Sequence, residues 1–196
     1  MNNIQNNPNS LTDLFQKYSS CTDKEHAHCY GRFYERWSSS INPLENILEI
    51  GCNLFGGGSL LAISERFPSS TMIGLDLTFS ELVDEVSERP NIRLFDGNAY
   101  QRDTVERFRQ TYTLLFDLVI DDCLHGMDDQ YQAFLLWNEI VSSHGLYVIE
   151  DVNDLDGLSR RLANHTDTWE IMLGDARRDG NVCQSDSVLI GLRRCQ

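Results

Sequence analysis

The fold of this chain is decided by residues 46–60, which read NILEIGCNLFGGGSL. The first apolar run, which includes Glu49, ends just before Gly51. A glycine-rich turn then leads into a second apolar stretch that is typical of a helix. Glycines let such a turn fold tightly and approach a ligand closely. The turn departs from the G-x-G-x-x-G pattern because Asn53 and Phe55 stand where that pattern is richer in glycine. A pyrophosphate site is therefore disfavoured, whereas a cofactor without phosphates fits; a strand-to-helix turn with nothing bound is the alternative.

From Asn42-Pro43 to the end of the chain, short apolar runs alternate with amphipathic stretches in the same way. Strands are predicted at 46–50, 71–75, 92–95, 118–122, 146–150, 169–173 and 188–192, and helices between them at 59–67, 80–87, 104–112, 129–141 and 155–165. Alternating strands and helices are typical of a parallel sheet covered on both faces. We therefore expect an α/β fold with a doubly wound, mostly parallel, seven-stranded sheet that ends in an antiparallel pair. Ligands of such sheets bind beyond the carboxyl ends of the strands.

The chain has 196 residues, which suits one domain with a single core. We predict a disordered leader at 1–9 and one domain over 10–196, in which two short helices at 11–18 and 30–38 make 10–42 a helical cap or lid. The formal net charge of −14 disfavours nucleic acid as a partner. Six cysteines without a C-x-x-C pair indicate reduced thiols. Because no secretory signal or membrane-spanning run is visible, we expect a cytoplasmic protein without a membrane partner.

Polar residues follow the first three predicted strands, where a bound nucleoside would lie. Asp76 follows the second strand at the distance expected for an acidic ribose ligand, and the third strand ends in Asp96, Gly97 and Asn98, which could face an adenine edge. Helix caps and turns are the commoner roles of such residues. Residues at successive strand ends nevertheless favour a binding site. The predicted donor-binding set is Glu49, Gly51, Asn53, Gly58, Ser59, Asp76, Asp96, Gly97, Asn98 and Asp121.

Four carboxylates and an imidazole lie at or just after the carboxyl ends of the fourth and fifth predicted strands: Asp121, Asp122, Glu150, Asp151 and His125. Packed carboxylates repel one another unless a cation neutralises them. Oxygen ligands of this kind suit Mg²⁺, Mn²⁺ or Ca²⁺. The alternative is a set of solvated caps for the next helices. The position of His125, three residues after Asp122, favours a general base over a metal ligand, and both roles stay open.

Taken together, these motifs resemble the macrocin-type and mycinamicin-type sugar O-methyltransferases, a metal-dependent branch of the class I methyltransferases that modifies deoxysugars on macrolide antibiotics. The resemblance covers most of the chain from residue 20 and rests on SCTDKEHAHCY at 20–30, LEIG at 48–51 with GGSL at 57–60, VIDD at 119–122 with His125, and YVIED at 147–151. One departure is Cys123-Leu124, where that family usually has Gly-Ser. Cephalosporin-hydroxylase-like proteins share the same motifs.

The resemblance implies a Rossmann-like class I methyltransferase fold and S-adenosylmethionine as the methyl donor. It implies that Asp122, Glu150 and Asp151 hold Mg²⁺ and that His125 is the catalytic base beside Asp122. The expected acceptor is a hydroxyl of a small, glycosylated or polyol-bearing molecule, and a homo-oligomer is left open. Lys24, His28 and Tyr30 are candidate lid contacts, with a helix packed on the sheet edge as the alternative.

Three other functions are weighed against this one. A catechol-type phenol methyltransferase also places vicinal oxygens on a metal but uses a lysine base, and the carboxylate edge offers no lysine in the sequence pattern. A nucleotide-cofactor oxidoreductase is disfavoured by the irregular turn after Gly51. A non-catalytic nucleoside-binding module is disfavoured by His125 and the carboxylates.

Overall fold

A computed structural model of the chain describes residues 10–177 and 184–195. The predicted leader at residues 1–9 and the thiol of Cys183 lie outside these ranges. Cys21, Cys52, Cys123 and Cys195 are free thiols, as the cysteine spacing predicts. No helix within the described ranges is long and apolar enough to cross a membrane.

Within the described ranges, seven strands form one sheet. They are β1 Asn46–Ile50, β2 Thr71–Asp76, β3 Ile92–Asp96, β4 Phe116–Asp121, β5 Val141–Ile149, β6 Trp169–Asp175 and β7 Val188–Arg194. Their order across the sheet is β3-β2-β1-β4-β5-β7-β6. The first five pair in parallel, and β7 runs antiparallel to both β5 and β6. The predicted doubly wound, mostly parallel sheet with an antiparallel edge is confirmed, and the strand order reverses between β1 and β4.

Seven helices pack on this sheet in the described part of the chain. They are α1 Leu11–Lys17, α2 Gly31–Ser38, α3 Gly58–Arg66, α4 Asp84–Glu88, α5 Arg102–Thr111, α6 Met127–Trp137 and α7 Leu155–Leu162. α1 begins at a serine cap, because Ser10 Oγ accepts a hydrogen bond from the Asp13 N–H at 3.2 Å. α7 begins at an aspartate cap, because Asp154 Oδ1 accepts one from the Gly157 N–H at 2.9 Å.

Alternating side chains along the strands build one apolar core on each face of the sheet. In β1, Ile47 packs with the helices α1, α2 and α3, whereas Leu48 and Ile50 pack with α5, α6 and α7. Successive strand residues point to opposite faces, so Glu49 shares the face of Ile47. That face also carries the N-terminal helices, which brings the N-terminal segment next to Glu49.

The predicted helix at 80–87 begins only at Asp84. Tertiary hydrogen bonds explain the difference. The Glu81 N–H donates to Asn53 Oδ1 at 3.0 Å, and the Val83 N–H donates to the Gly56 carbonyl at 3.1 Å. Both bonds reach the glycine-rich turn after β1, so the residues before Asp84 support that turn instead of forming helix.

Candidate active site

Gly51 places the turn after β1 directly against the end of β4. Its φ is 87°, and a Cβ there would lie 2.1 Å from the Asp122 carbonyl oxygen. The Gly51 N–H donates to the Leu75 carbonyl at 2.8 Å, and the Asp122 N–H donates to the Ile50 carbonyl at 2.9 Å. Only glycine combines this backbone conformation with such a close approach. The glycine therefore positions Asp122 relative to the turn.

The rest of the glycine-rich turn contacts the N-terminal segment, here residues 21–30 between α1 and α2. The Gly58 N–H donates to the Cys21 carbonyl at 2.7 Å, and a Cβ at Gly58 would lie 2.6 Å from that oxygen. Ser59, in the first turn of α3, is buried beside this contact. The segment that follows Cys21 is therefore held over the carboxyl end of β1.

A first cavity, here called the apolar cavity, lies beyond the ends of β2 and β3. It is lined by Gly51, Leu54, Leu75, Asp76, Leu77, Gly97, Asn98, Ala99, Tyr100, Asp122, Cys123 and Leu124. Its volume of about 320 Å³ falls in the range of small-molecule sites. At its wall, Asp76 accepts hydrogen bonds from the N–H groups of Asn53 at 2.8 Å and Leu77 at 2.7 Å. The carboxylate is thus fixed at the edge of a mainly apolar space.

Four of the ten predicted donor-binding residues line this cavity, and six do not: Glu49, Asn53, Gly58, Ser59, Asp96 and Asp121. The Asp96 side chain is 79% exposed and lies 3.9 Å from Arg107 Nη1 on the surface. Asp121 is buried, and its Oδ2 accepts a hydrogen bond from the Tyr147 hydroxyl at 3.4 Å. Burial raises the pKa of Asp121 to about 7. Of the residues predicted after β3, the structure brings Gly97 and Asn98 to the cavity.

A second cavity, here called the acidic cavity, lies beyond β1 and β4. It is lined by Cys21, Thr22, Asp23, Lys24, Gly51, Cys52, Leu54, Phe55, Ser59, Asp122, Cys123, His125 and Asp151. His125 Nε2 lies 3.6 Å from Asp122 Oδ1 and 3.6 Å from Asp151 Oδ2. One ligand atom from each of these three residues lies within 4.8 Å of the others. The group could hold a divalent metal ion.

The two cavities share a wall. Gly51, Leu54, Asp122 and Cys123 line both of them. Because Asp122 belongs to the group that could hold a metal, a ligand filling the apolar cavity would end next to that group.

Lys24 lies at the centre of the carboxylates. Its Nζ lies 2.7 Å from Asp122 Oδ2, 2.5 Å from Glu150 Oε2 and 3.4 Å from Glu49 Oε1, and its side chain is 2% exposed. The expectation that this edge offers no lysine is therefore wrong. Folding brings Lys24 into contact with Asp122, which lies 98 positions further along the chain. Burial alone would lower the pKa of Lys24, but the adjacent carboxylates of Asp122, Glu150 and Glu49 raise it well above its usual value. A pKa raised above the usual lysine value favours the charged ammonium, which cannot accept a proton, and so disfavours Lys24 as the base of a phenol methyltransferase.

Glu150 is bonded to Lys24, between α1 and α2, and to Tyr34 in α2, and it does not belong to the group of Asp122, His125 and Asp151. Its Oε2 contacts Lys24, and its Oε1 accepts a hydrogen bond from the Tyr34 hydroxyl. Burial raises the pKa of Glu150 well above its usual value, although Lys24 opposes the shift. The predicted metal ligands Asp122 and Asp151 thus come together, whereas Glu150 faces a lysine and a tyrosine. Tyr34 is not among the site residues predicted from the sequence, although its hydroxyl binds Glu150.

Asp151 is fixed by the other two candidate lid residues. Its φ is 52°, and its Oδ1 accepts a hydrogen bond from the Tyr30 hydroxyl at 2.5 Å. His28 Nδ1 lies 3.5 Å from the same oxygen and 3.2 Å from Ser187 Oγ. Lys24, His28 and Tyr30 are all buried. They pack against the carboxylates themselves, so this part of the N-terminal segment forms a wall of the site.

The remaining electrostatics concern Asp122, His125 and Glu49. Burial would raise the pKa of Asp122, but Lys24 and His125 lower it below its usual value. The hydrogen bond with Asp122 raises the pKa of His125 and outweighs its partial burial. Burial raises the pKa of Glu49, which is 0% exposed. Neither Glu49 oxygen accepts a hydrogen bond from the residues that the structure describes.

Comparison with known proteins places this geometry in context. No family model matches the chain. It is 32% identical over 131 residues to mycinamicin VI 2''-O-methyltransferase of Micromonospora griseorubida, which covers 64% of this chain and 32% of that protein. The chain therefore matches about a third of the length of this curated relative.

Solved structures align over more of the chain. MycE methyltransferase in complex with Mg, SAH and mycinamycin VI matches with a TM-score of 0.74 and 23% identity, over 95% of this chain and 55% of that one. The chain has the class I methyltransferase fold. The cmcI-D160 Mg-SAM structure matches with a TM-score of 0.60 and 20% identity, over 84% and 70% of the two chains. A putative caffeoyl-CoA O-methyltransferase from Staphylococcus aureus matches with a TM-score of 0.58 and 12% identity, over 83% and 81%.

Proposed function

We propose that this chain is an S-adenosylmethionine-dependent O-methyltransferase that uses Mg²⁺ or Mn²⁺ and methylates a hydroxyl of a small glycosylated natural product. The observation that carries the proposal is the wall shared by the two cavities. Methyl transfer needs the donor and the acceptor oxygen in line and in contact. A donor in the apolar cavity and an acceptor in the acidic cavity would meet at Gly51, Asp122 and Cys123.

The residues present fit the methyl donor. Asp76 stands where it can accept hydrogen bonds from the ribose hydroxyls, and Gly97 and Asn98 border the space for the base. Leu54 and Leu77 are 71% and 66% exposed and offer apolar surface to an aromatic ring. Glu49 Oε2 is buried without a hydrogen-bond partner among the described residues, and Oε1 lies 3.4 Å from Lys24 Nζ; the carboxylate would suit the ammonium group of the donor's amino-acid part. Asn53 and Gly58 support the turn between these groups.

The residues present also fit a divalent metal, because ligand atoms of two carboxylates and an imidazole lie within 4.8 Å of one another. Asp122 and Asp151 would hold it, and Glu150 would join them only by sharing its carboxylate with Lys24. A bound Mg²⁺ supplies Lewis acidity and orients the acceptor hydroxyl. His125 is 36% exposed at the cavity and would accept the hydroxyl proton at its ring. Tyr30 keeps the Asp151 carboxylate in place.

The relative and the charge support this acceptor class. The relative is named a mycinamicin VI 2''-O-methyltransferase, and 64% of this chain aligns with it. The formal charge of −14 disfavours a nucleic acid acceptor. We also propose a cytoplasmic location, which fits the free thiols of Cys21, Cys52, Cys123 and Cys195.

Thermal-shift measurements test this proposal without knowledge of the acceptor. S-adenosylhomocysteine should raise the Tm of the protein in the presence of Mg²⁺, whereas NAD and FAD should leave it unchanged, because a ligand stabilises only the state that binds it. The matched control is Asp76→Ala, in which the shift with S-adenosylhomocysteine should shrink. A Tm raised by NAD or FAD, and not by S-adenosylhomocysteine, would instead identify an oxidoreductase.

A further inference from the structure

Lys24 occupies carboxylate oxygens that a divalent metal would need. Its Nζ lies 2.7 Å from Asp122 Oδ2 and 2.5 Å from Glu150 Oε2. Asp122 is also one of the three residues whose ligand atoms converge for a metal, with His125 and Asp151. An ammonium and a metal ion would therefore draw on the same negative charge.

The ammonium is tethered in this position by the backbone around it. The Gly58 N–H donates to the Cys21 carbonyl at 2.7 Å, and the Tyr30 N–H donates to the Lys24 carbonyl at 2.8 Å. Both ends of the segment from Cys21 to Tyr30 are thus bonded, one of them to the glycine-rich turn. The Lys24 side chain is 2% exposed and is held against the carboxylates by this segment. Its positive charge stays with the site.

The carboxylates around Lys24 explain why a positive charge is needed at this position. Glu49, Asp122 and Glu150 all lie within 3.4 Å of the ammonium, and Glu49 and Glu150 are almost completely buried. Buried carboxylates without a cation are strongly unfavourable. Lys24 supplies part of the compensation that a metal would otherwise supply alone.

We propose that Lys24 is a tethered counter-ion that competes with the divalent metal for Asp122 and Glu150 and thereby lowers the metal affinity of the site. The proposal rests on the proposed function, since it takes the acidic cavity to be the metal site. Two consequences follow from the charges. Removing the ammonium strengthens metal binding, and the protein without metal loses stability that added metal restores.

Calorimetric titration with Mg²⁺, and titration with Mn²⁺ followed by electron paramagnetic resonance, test the proposal in the absence of donor and acceptor. Lys24→Met should lower the metal Kd by about tenfold or more, because a unit charge beside a divalent ion is removed. Lys24→Arg keeps the charge and should stay near the wild-type Kd. The matched control is Lys17→Met, which removes a lysine that pairs with Glu65 at 2.7 Å on the surface. It should leave the metal Kd unchanged.

Stability gives the second measurement. Without metal, Lys24→Met should melt below wild type, and the rise in Tm on adding Mg²⁺ should be larger than in wild type. If Lys24→Met folds poorly, the Tm with and without Mg²⁺ is measured on Lys24→Gln instead, which keeps an N–H donor but not the charge. Failure of both variants to fold even with saturating Mg²⁺ would contradict the proposal, because the metal should then replace the lost charge.

The outcomes separate this inference from the proposed function. If wild type binds metal and Lys24→Met binds it equally well or more weakly, Lys24 organises the ligands rather than competing for them, and the inference is overturned. If neither protein binds metal, the metal requirement of the proposed function fails, and the inference fails with it.

Discussion

Gly51→Ala is expected to destabilise the protein and to damage the site at the same time. The added Cβ would lie 2.1 Å from the Asp122 carbonyl oxygen and 2.6 Å from its carbonyl carbon, so one of the two backbones must move. Neither moves freely, because Gly51 is bonded to Leu75 and Asp122 to Ile50. The displacement would be passed on to the Asp122 carboxylate.

The magnitude follows from two contributions. The φ of 87° costs an alanine about 1–2 kcal/mol relative to glycine. Overpacking against fixed neighbours costs about 1–3 kcal/mol more. The free energy of unfolding should therefore fall by about 2–5 kcal/mol, and the Tm by roughly 5–15 °C for a chain of this size.

Urea unfolding followed by circular dichroism measures the stability, and calorimetry with S-adenosylhomocysteine measures the site. Gly126→Ala is the matched control, since its Cβ would meet only the end of the Asp129 side chain, which can rotate away. That control should stay within about 1 kcal/mol of wild type. Wild-type stability and wild-type affinity in Gly51→Ala would refute the tight contact between β1 and β4 on which the site geometry depends.

Three further changes probe the separate parts of the site. Asp76→Ala should raise the Kd for S-adenosylhomocysteine by about 10- to 100-fold, because hydrogen bonds to a charged group are lost. Mn²⁺ binding, measured by paramagnetic resonance, should stay unchanged. An unaltered Kd for S-adenosylhomocysteine would remove Asp76 from the donor site. Chelation by EDTA should abolish methyl transfer and added Mg²⁺ or Mn²⁺ should restore it, whereas full activity after chelation would leave the carboxylates as structural groups. His125→Gln should lower the single-turnover rate by about 10²- to 10⁴-fold with metal affinity retained; a weaker metal affinity that recovers at high Mg²⁺ would identify His125 as a ligand.

Much of the fold could be predicted from the sequence, because each apolar run is bounded by turns and because alternating strands and helices allow few arrangements. All seven predicted strands are present, and β1 has the predicted bounds, 46–50. The helix predicted at 80–87 begins only at Asp84, because the N–H groups of Glu81 and Val83 donate hydrogen bonds to Asn53 and Gly56. These bonds compete with helical hydrogen bonds. Such bonds join residues distant in sequence, and local patterns do not report them.

The site could be predicted only in part, for the same reason. Residues at strand ends, such as Asp76, Asp122 and Asp151, are placed by the sheet itself, so their positions follow from the strand pattern. The contact of Lys24 with Glu150 spans 126 residues, and no local pattern signals it. Tyr34 has the spacing of a core residue, although its hydroxyl binds Glu150. The exposure of Asp96 depends on how β3 lies at the edge of the sheet.

The central claim is that the methyl donor and the metal occupy adjoining parts of one site. The most direct test is the nuclear magnetic resonance signal of S-adenosylmethionine labelled with ¹³C in its methyl group, recorded on the protein with Mn²⁺ and with Mg²⁺. Paramagnetic Mn²⁺ should broaden the signal of the bound methyl group strongly, Mg²⁺ should leave it sharp, and the variant Asp122→Asn/Asp151→Asn should remove the broadening. A methyl signal that stays sharp while both donor and Mn²⁺ are bound would place the metal away from the donor and contradict the account.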